Sequence, residues 1–296
     1  RRAPLAFRVD RIAAKNALSR LQNPLSTDPI NARPLVSGQN VRISPSKNGS
    51  RLNVSTSAAR LQILGEKNAY ARRFVLAAQT AKPRVSSQDL AGIDSVLGTF
   101  RTRFNPGEIG RTHNVRLATK SVDGTILRNG ATFSLNGTVG ERTKSRGYRE
   151  AIIFESGRKI RGLGGGVSQV TGTLFNAALV AGLPIVSYRT HSQPVKYLPI
   201  GRDATVAWGS FDMRFKNDTG APIYIDYKAS RSRLTARIFG KKTGRTTRIR
   251  VTRRNNGPRD ISANLYRVIF KDGAVQKREK VGSSRYNWKP ASADEL

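Results

Sequence analysis

RGLGGGVSQVTGTLFNAALVAGLPI, residues 161–185, is the stretch around which the rest of the chain can be read. Three glycines run into Ser168, after which Val170, Leu174, Ala177, Ala178 and Val180 recur at helical spacing. Gly182 predicts the end of that helix, and Pro184 just beyond it cannot continue one. Short extended runs surround it. IVSYRT at 185–190, ATVAW at 204–208 and APIYIDY at 221–227 read as strands. Ahead of it, HNVRLATKSV at 113–122 has helical spacing, and NGATFSLNGTVGERT at 129–143 reads as turn, strand and loop. From 231 to 288 the runs RLTARIFG, TRIRVT, LYRVIFKDG and AVQKREKV alternate, with Lys271-Asp272-Gly273 as a hairpin turn. Such a mixture predicts an α+β fold.

The first third has a different texture. VDRIAAKNALSRL at 9–21 is helix-like and ends near Asn23-Pro24. Residues 33–54 read as a hairpin: Val36, Val41 and Ile43 lie on extended runs, SPSKNGSR at 44–51 is the turn, and Leu52 and Val54 resume. Ser55 or Thr56 is placed to cap a second helix, and RRFVLAAQ at 72–79 is a strand candidate. Ser86 or Ser87 is placed to cap a third helix start, with Asp89 in its first turn. The expected organisation is an N-terminal α+β domain at 1–97, a central domain at 98–240 and a basic C-terminal β extension at 241–296.

Composition narrows the chemistry. Among 296 residues, 53 Lys and Arg face 19 Asp and Glu, a formal net charge of +34. That surplus calls for a polyanionic partner: nucleic acid, anionic lipid or an anionic wall polymer. The stretch 228–254 carries eleven cations and no acid, with a period of two through Arg248, Ile249, Arg250 and Val251. A strand with one basic face follows, either merely solvated or used for binding. No zinc-finger or RNP-type pattern accompanies it, so nucleic acid is disfavoured. No apolar run reaches the roughly 18 residues of a membrane span. The absence of cysteine and the presence of only His113 and His191 leave no evident metal site, and no cofactor is expected. The chain begins at Arg1 without a signal-type apolar segment and reads as a trimmed or mature piece.

One constellation could do chemistry. Ser168 opens a helix after Gly164-Gly165-Gly166, His191 follows the next strand, and Asp203 leads into ATVAW. A nucleophile at a helix N-terminus meets unpaired N–H groups and a favourable dipole. Glycines ahead of it allow close backbone approach to a developing oxyanion. Histidine can serve as base and an acid can fix its tautomer. The plainer reading is a tight turn, a helix cap and a turn-capping Asp. GLGGGVSQV lacks the Lys-Ser/Thr of a P-loop, so nucleotide binding is weakly supported. His113, beside Arg111, Thr112 and Asn114, reads as a structural or substrate-side polar residue.

FSLNGTVGERTKSRGYREA at 133–151, GGGVSQVTGTLFNAALVAGLPIV at 164–186, HSQPVKYLPIGRDATV at 191–206 and FDMRFKNDTGAPIYI at 211–225 together resemble the VanW family. ISPSKNGSRLNV and PRVSSQDL, within 33–97, resemble more loosely the peptidoglycan-binding domain that often precedes it. The resemblance implies an extracytoplasmic bacterial protein of the cell envelope, with peptidoglycan and anionic wall polymers as partners. It also implies Cys where this chain has Ser168; natural divergence and a deliberate replacement both fit. The nucleophile–His–Asp order further looks like a transglutaminase or papain-like core. Carried over, Ser168 takes the nucleophile position, His191 the base and Asp203 the orienting acid. Gly165, Gly166, Gln169 and His113 become candidates for the oxyanion or substrate side. The expected function is acyl transfer or hydrolysis at amide bonds of peptidoglycan peptides, weakened by serine in place of cysteine. The alternative is a non-catalytic module that binds peptidoglycan or anionic wall polymer.

Overall fold

The computed structural model describes residues 8–37, 40–67, 73–155 and 158–288, which fall into two compact units. One comprises Arg1–Arg33 and Ile43–Asp89, the other Pro34–Arg42 and Leu90–Leu296. The architecture is α+β, and every strand pair with a described register is antiparallel.

In chain order the first elements are α1 (Arg11–Leu21), β1 (Arg33–Ser37), β2 (Asn40–Ser44), β3 (Gly49–Leu52), α2 (Val54–Lys67) and β4 (Ala78–Ala81). Asp10 caps α1, accepting from the Ile12 N–H at 2.7 Å. Ala14 and Leu18 of α1 pack with Leu52 and Ala58 to form the small core of the first unit. Four expectations are corrected by the structure. Residues 44–51 are not a hairpin turn: β1 pairs with β2, and β3 pairs with β4. Of the strand expected at 72–79, residue 72 lies outside the described residues, 73–77 form no strand, and β4 begins only at Ala78 and runs to Ala81. The cap of α2 is Asn53, whose Oδ1 accepts from the Thr56 N–H at 2.9 Å, rather than Ser55 or Thr56. The third helix start at Ser86 is a single 3-10 turn, Gln88–Leu90.

The second unit continues with β5 (Ser95–Arg103), α3 (Ile109–Val122), β6 (Thr125–Leu127), β7 (Thr132–Ser134), α4 (Leu135–Val139), β8 (Glu150–Glu155), β9 (Arg158–Leu163) and α5 (Val167–Val180). After these come β10 (Ile185–Ser187), β11 (Arg214–Lys216), β12 (Ile223–Ser230), β13 (Arg233–Gly240), β14 (Arg245–Gly257), β15 (Asp260–Lys271) and β16 (Ala274–Asn287). A four-stranded sheet in the order β5-β13-β12-β6 carries α5 over β5 and β13, and α3 over β12. A small sheet, β10-β11-β7, and the meander β14-β15-β16 complete the body, with β14 also lying against α5.

Helix α5 is therefore enclosed, and every residue from Gln169 to Leu179 is buried. An element buried all round must satisfy its polar side chains internally. Thr171 and Thr173 donate back to the Val167 and Gln169 carbonyls, while Asn176 donates to the carbonyls of Gly172 and Arg202. The helix ends at Gly182, at φ +74°, in a Schellman arrangement: Gly182 N–H meets Leu179 O, and Leu183 N–H meets Ala178 O.

The C-terminal sheet belongs to the second unit. Leu265 joins the main core, and the Thr247 hydroxyl donates to Val180 O at 2.9 Å. Arg267, 2% exposed, donates to the carbonyls of Leu179 and Leu183 at the end of α5 and pairs with Glu279. The turn at Asp272-Gly273 takes positive φ at both positions, as a two-residue hairpin loop requires. ATVAW does not form a strand: only the isolated bridges Arg189–Thr205 and Ala207–Phe211 occur there.

Candidate active site

The glycine run works as a backbone device. Gly166, the N-cap of α5, has φ +105°, and a Cβ there would lie 2.8 Å from Val115 Cγ2 and 3.0 Å from Arg111 Cγ. Glycine meets both the dihedral and the space. Gly166→Ala is expected to cost about 2–4 kcal/mol, combining left-handed strain with overpacking. Gly182→Ala is expected to cost only about 1–2 kcal/mol, because its Cβ would meet nothing nearer than 3.5 Å. Urea unfolding of the two variants checks the order.

Val167 and Gln169 donate their N–H groups to Gly164 O and Gly166 O. The N–H groups of Gly165, Gly166 and Ser168 have no protein acceptor among the described residues. These orphans lie at the positive end of the α5 dipole, where an anion is stabilised.

Ser168 lines a cleft of about 530 Å³ together with His191. Its Oγ lies 2.8 Å from Thr205 Oγ1, and no hydrogen bond joins it to the imidazole. His191 is buried on its other side. Its backbone N–H and its Nδ1 both reach Asp203 Oδ2 at 2.8 Å. A carboxylate accepting from Nδ1–H leaves Nε2 as the bare, basic nitrogen. Phe154 packs edge-on against the ring at 5.9 Å between centroids.

Asp203, 1% exposed, has a third partner. The Tyr286 hydroxyl donates to Asp203 Oδ1 and accepts from the Gly201 N–H at 2.7 Å. Burial, then the Asp203 charge, raises the Tyr286 phenol well above its ordinary value, so it stays a donor. The same two causes push Tyr188 up to about 12. Tyr286 comes from β16, whose Asn287 N–H also donates to Ser192 O beside His191. The C-terminal sheet thus completes the environment of the histidine.

Two expected site residues are engaged elsewhere. The Gln169 amide, 1% exposed, donates to Thr102 Oγ1 and Arg103 O and accepts from Arg111, so its side chain is no oxyanion donor. Gln169 still lines the cleft, but its amide is turned to β5 and Arg111. The His113 Nε2 meets Gly147 O at 2.8 Å and lies outside the residues that line the cleft. Gly165 and Gly166 do line it. Sequence reasoning did not single out Thr205, Tyr197, Arg111, Arg142 or Tyr286; nothing local marks them. The cleft mouth carries exposed Ile152, Phe154 and Trp208, apolar surface suited to a ligand. Among the described residues, no group of three or more His, Cys, Asp or Glu side chains could hold a metal ion, and no helix is long and apolar enough to cross a membrane.

Residues 110–239 match the family described as VanW like protein, and residues 1–64 match the Putative peptidoglycan binding domain. The chain is 45% identical over 147 residues to the Uncharacterized protein YoaR of Bacillus subtilis (strain 168), covering 49% of this chain and 48% of that protein. It is 27% identical over 173 residues to the Vancomycin B-type resistance protein VanW of Enterococcus faecalis (strain ATCC 700802 / V583), covering 56% of this chain and 62% of that one. It spans about half to three fifths of these curated relatives' lengths. No solved structure gives a significant match.

Proposed function

For a chain that carries a VanW domain and, ahead of it, a domain of the peptidoglycan-binding type, we propose work at the cell wall: acyl transfer or hydrolysis at amide bonds of peptidoglycan peptides. One observation carries the reading. Asp203 holds His191 by ring and backbone at once, while the hydroxyl that ends the glycine run opens on the same cleft. A transglutaminase-like arrangement of nucleophile, base and acid is part of this proposal.

In the proposed reaction Ser168 turns from Thr205, and its Oγ attacks the amide carbonyl carbon as its proton passes to His191 Nε2. The resulting oxyanion faces the free N–H groups of Gly166 and Ser168. Collapse breaks the C–N bond, and His191 returns the proton to the leaving amine. Water or a second amine then takes the acyl group, and Ser168 is regenerated. Serine depends wholly on its base, whereas a thiol at that position is intrinsically nucleophilic, so the site as it stands works slowly.

The test is Ser168→Cys against the unsubstituted chain on purified muropeptides, read by mass spectrometry. Released or joined species are expected to accumulate faster with the thiol. In that background His191→Ala should slow them by about 10²–10⁴-fold, the usual share of a general base. If the thiol form yields nothing new, the enzymatic reading fails.

A second reading has its own support. The Ser168 hydroxyl is bonded to Thr205 and not to the imidazole, as suits a site that binds without reacting. It expects sedimentation with wall sacculi that is sensitive to salt and indifferent to substitutions at Ser168 or His191.

A further inference from the structure

The meander β14-β15-β16 has two unlike faces. Inward, Ile249, Val251 and Leu265 join the main core. Outward, the register sets Arg248, Val268 and Arg278 side by side across the three strands. The next row is Arg250, Tyr266 and Lys280, and a further row is Arg254, Ser262 and Arg285. The outer strands supply the cations, and the middle strand sets Val268 and Tyr266 between those of the first two rows. Rows on one face of a strand lie about 7 Å apart, close enough for the like charges to repel.

The rows themselves carry no carboxylate. Arg285 is paired with Asp260, but among the described residues Arg248, Arg250, Arg254, Arg278 and Lys280 have no ion pair. A groove of about 470 Å³ runs between the first two rows. Glu279 at its edge is already held by Arg267 and Lys277. On this face the acids nearest the rows, Asp260 and Glu279, are already paired with Arg285 and with Arg267 and Lys277, which leaves the cations of the first two rows without a carboxylate partner among the described residues.

We propose that this face binds a linear phosphodiester polymer of the polyol-phosphate type. Its phosphates would bridge Arg248 with Arg278 and Arg250 with Lys280. Guanidinium forks match phosphate oxygens two at a time, which favours phosphate as the partner anion. Nucleic acid fits less well, because base binding needs open aromatic faces. Here the Arg248 guanidinium already covers the Phe270 ring at 5.6 Å, and Tyr266 is half-buried between two cations.

The experiment measures affinity of the full chain for poly(glycerol phosphate) as a function of salt. Each neutralised phosphate contributes about 0.7 to the slope of log K against log salt for a flexible single chain. The fourfold variant Arg248→Gln, Arg250→Gln, Arg278→Gln, Lys280→Gln releases two bridged phosphates and is therefore expected to lose about 1.4 from that slope. A variant of equal net charge, Arg11→Gln, Arg20→Gln, Arg60→Gln, Lys67→Gln on α1 and α2, should lose less than about 0.5. Thermal unfolding verifies folding, and the row pairs Arg248/Arg278 and Arg250/Lys280, changed separately, should each show about half the loss. Equal losses in the two fourfold variants would reduce the face to general charge and overturn the proposal. So would a DNA oligonucleotide of equal phosphate number that binds more tightly than the polymer and loses the same slope.

Discussion

Asp203→Asn, made in the Ser168→Cys background, is expected to lower product formation by about 10³–10⁴-fold, on the order seen when a triad acid becomes an amide. Three donors converge on the carboxylate: His191 N–H, His191 Nδ1–H and the Tyr286 hydroxyl. An amide offers one oxygen and one NH₂. If the oxygen stays with Tyr286, the NH₂ faces Nδ1, and the ring must move its proton to Nε2. The nitrogen that should receive a proton then carries one. Two readouts separate this from simple misfolding. The ¹⁵N shifts of His191 should report the exchanged tautomer, and muropeptide turnover should fall while the chain still unfolds cooperatively. An unchanged tautomer with unchanged turnover would mean that Asp203 does not orient a base.

Arg267→Met is expected to cost about 3–5 kcal/mol, the range for removing one partner of a buried ion pair. The cost has two sources. The carbonyls of Leu179 and Leu183 lose their donor at the negative end of α5, and Glu279 loses a cation. Because Ser168 opens the same helix, the loss should also appear as a looser cleft. Adding Glu279→Leu should recover part of the stability, since a well-packed apolar pair can replace a buried ionic one. Chemical denaturation of the single and double variants measures both effects. Acid adds a further signature. Burial raises the Glu279 carboxyl, but hydrogen bonds from Lys277 and Arg267 prevail and hold it below its ordinary value. A lowered carboxyl contributes stability above the unfolded pKa and loses it as pH falls through the folded one. The gap between Arg267→Met and the unsubstituted chain should therefore narrow as the medium becomes acidic.

Local interactions were legible in the sequence and distant ones were not. Apolar spacing and Gly182 predicted α5 and its end, because helix periodicity and termination are encoded within a few residues. The turn at Asp272-Gly273 was readable for the same reason. Pairing partners were not. SPSKNGSR has the composition of a hairpin turn, yet its last three residues belong to β3, which pairs with Ala78–Ala81, and ATVAW forms no continuous pairing. Propensity does not say which edge is free. Gln169 illustrates the limit within one helix, where a step of about 100° separates a cleft-facing hydroxyl from an amide buried against β5.

The amino-acid sequence by itself determined the α+β texture, the glycine run before Ser168, the order of Ser168, His191 and Asp203, and the basic alternation of the last third. Tertiary structure alone decided that Tyr286, 83 residues beyond Asp203, shares its carboxylate, and that Arg267 closes the far end of α5. Those contacts depend on the register of a bulged meander and on how it seats against a buried helix. Such registers are set by the whole core at once, because a shift of one residue turns every side chain to the other face.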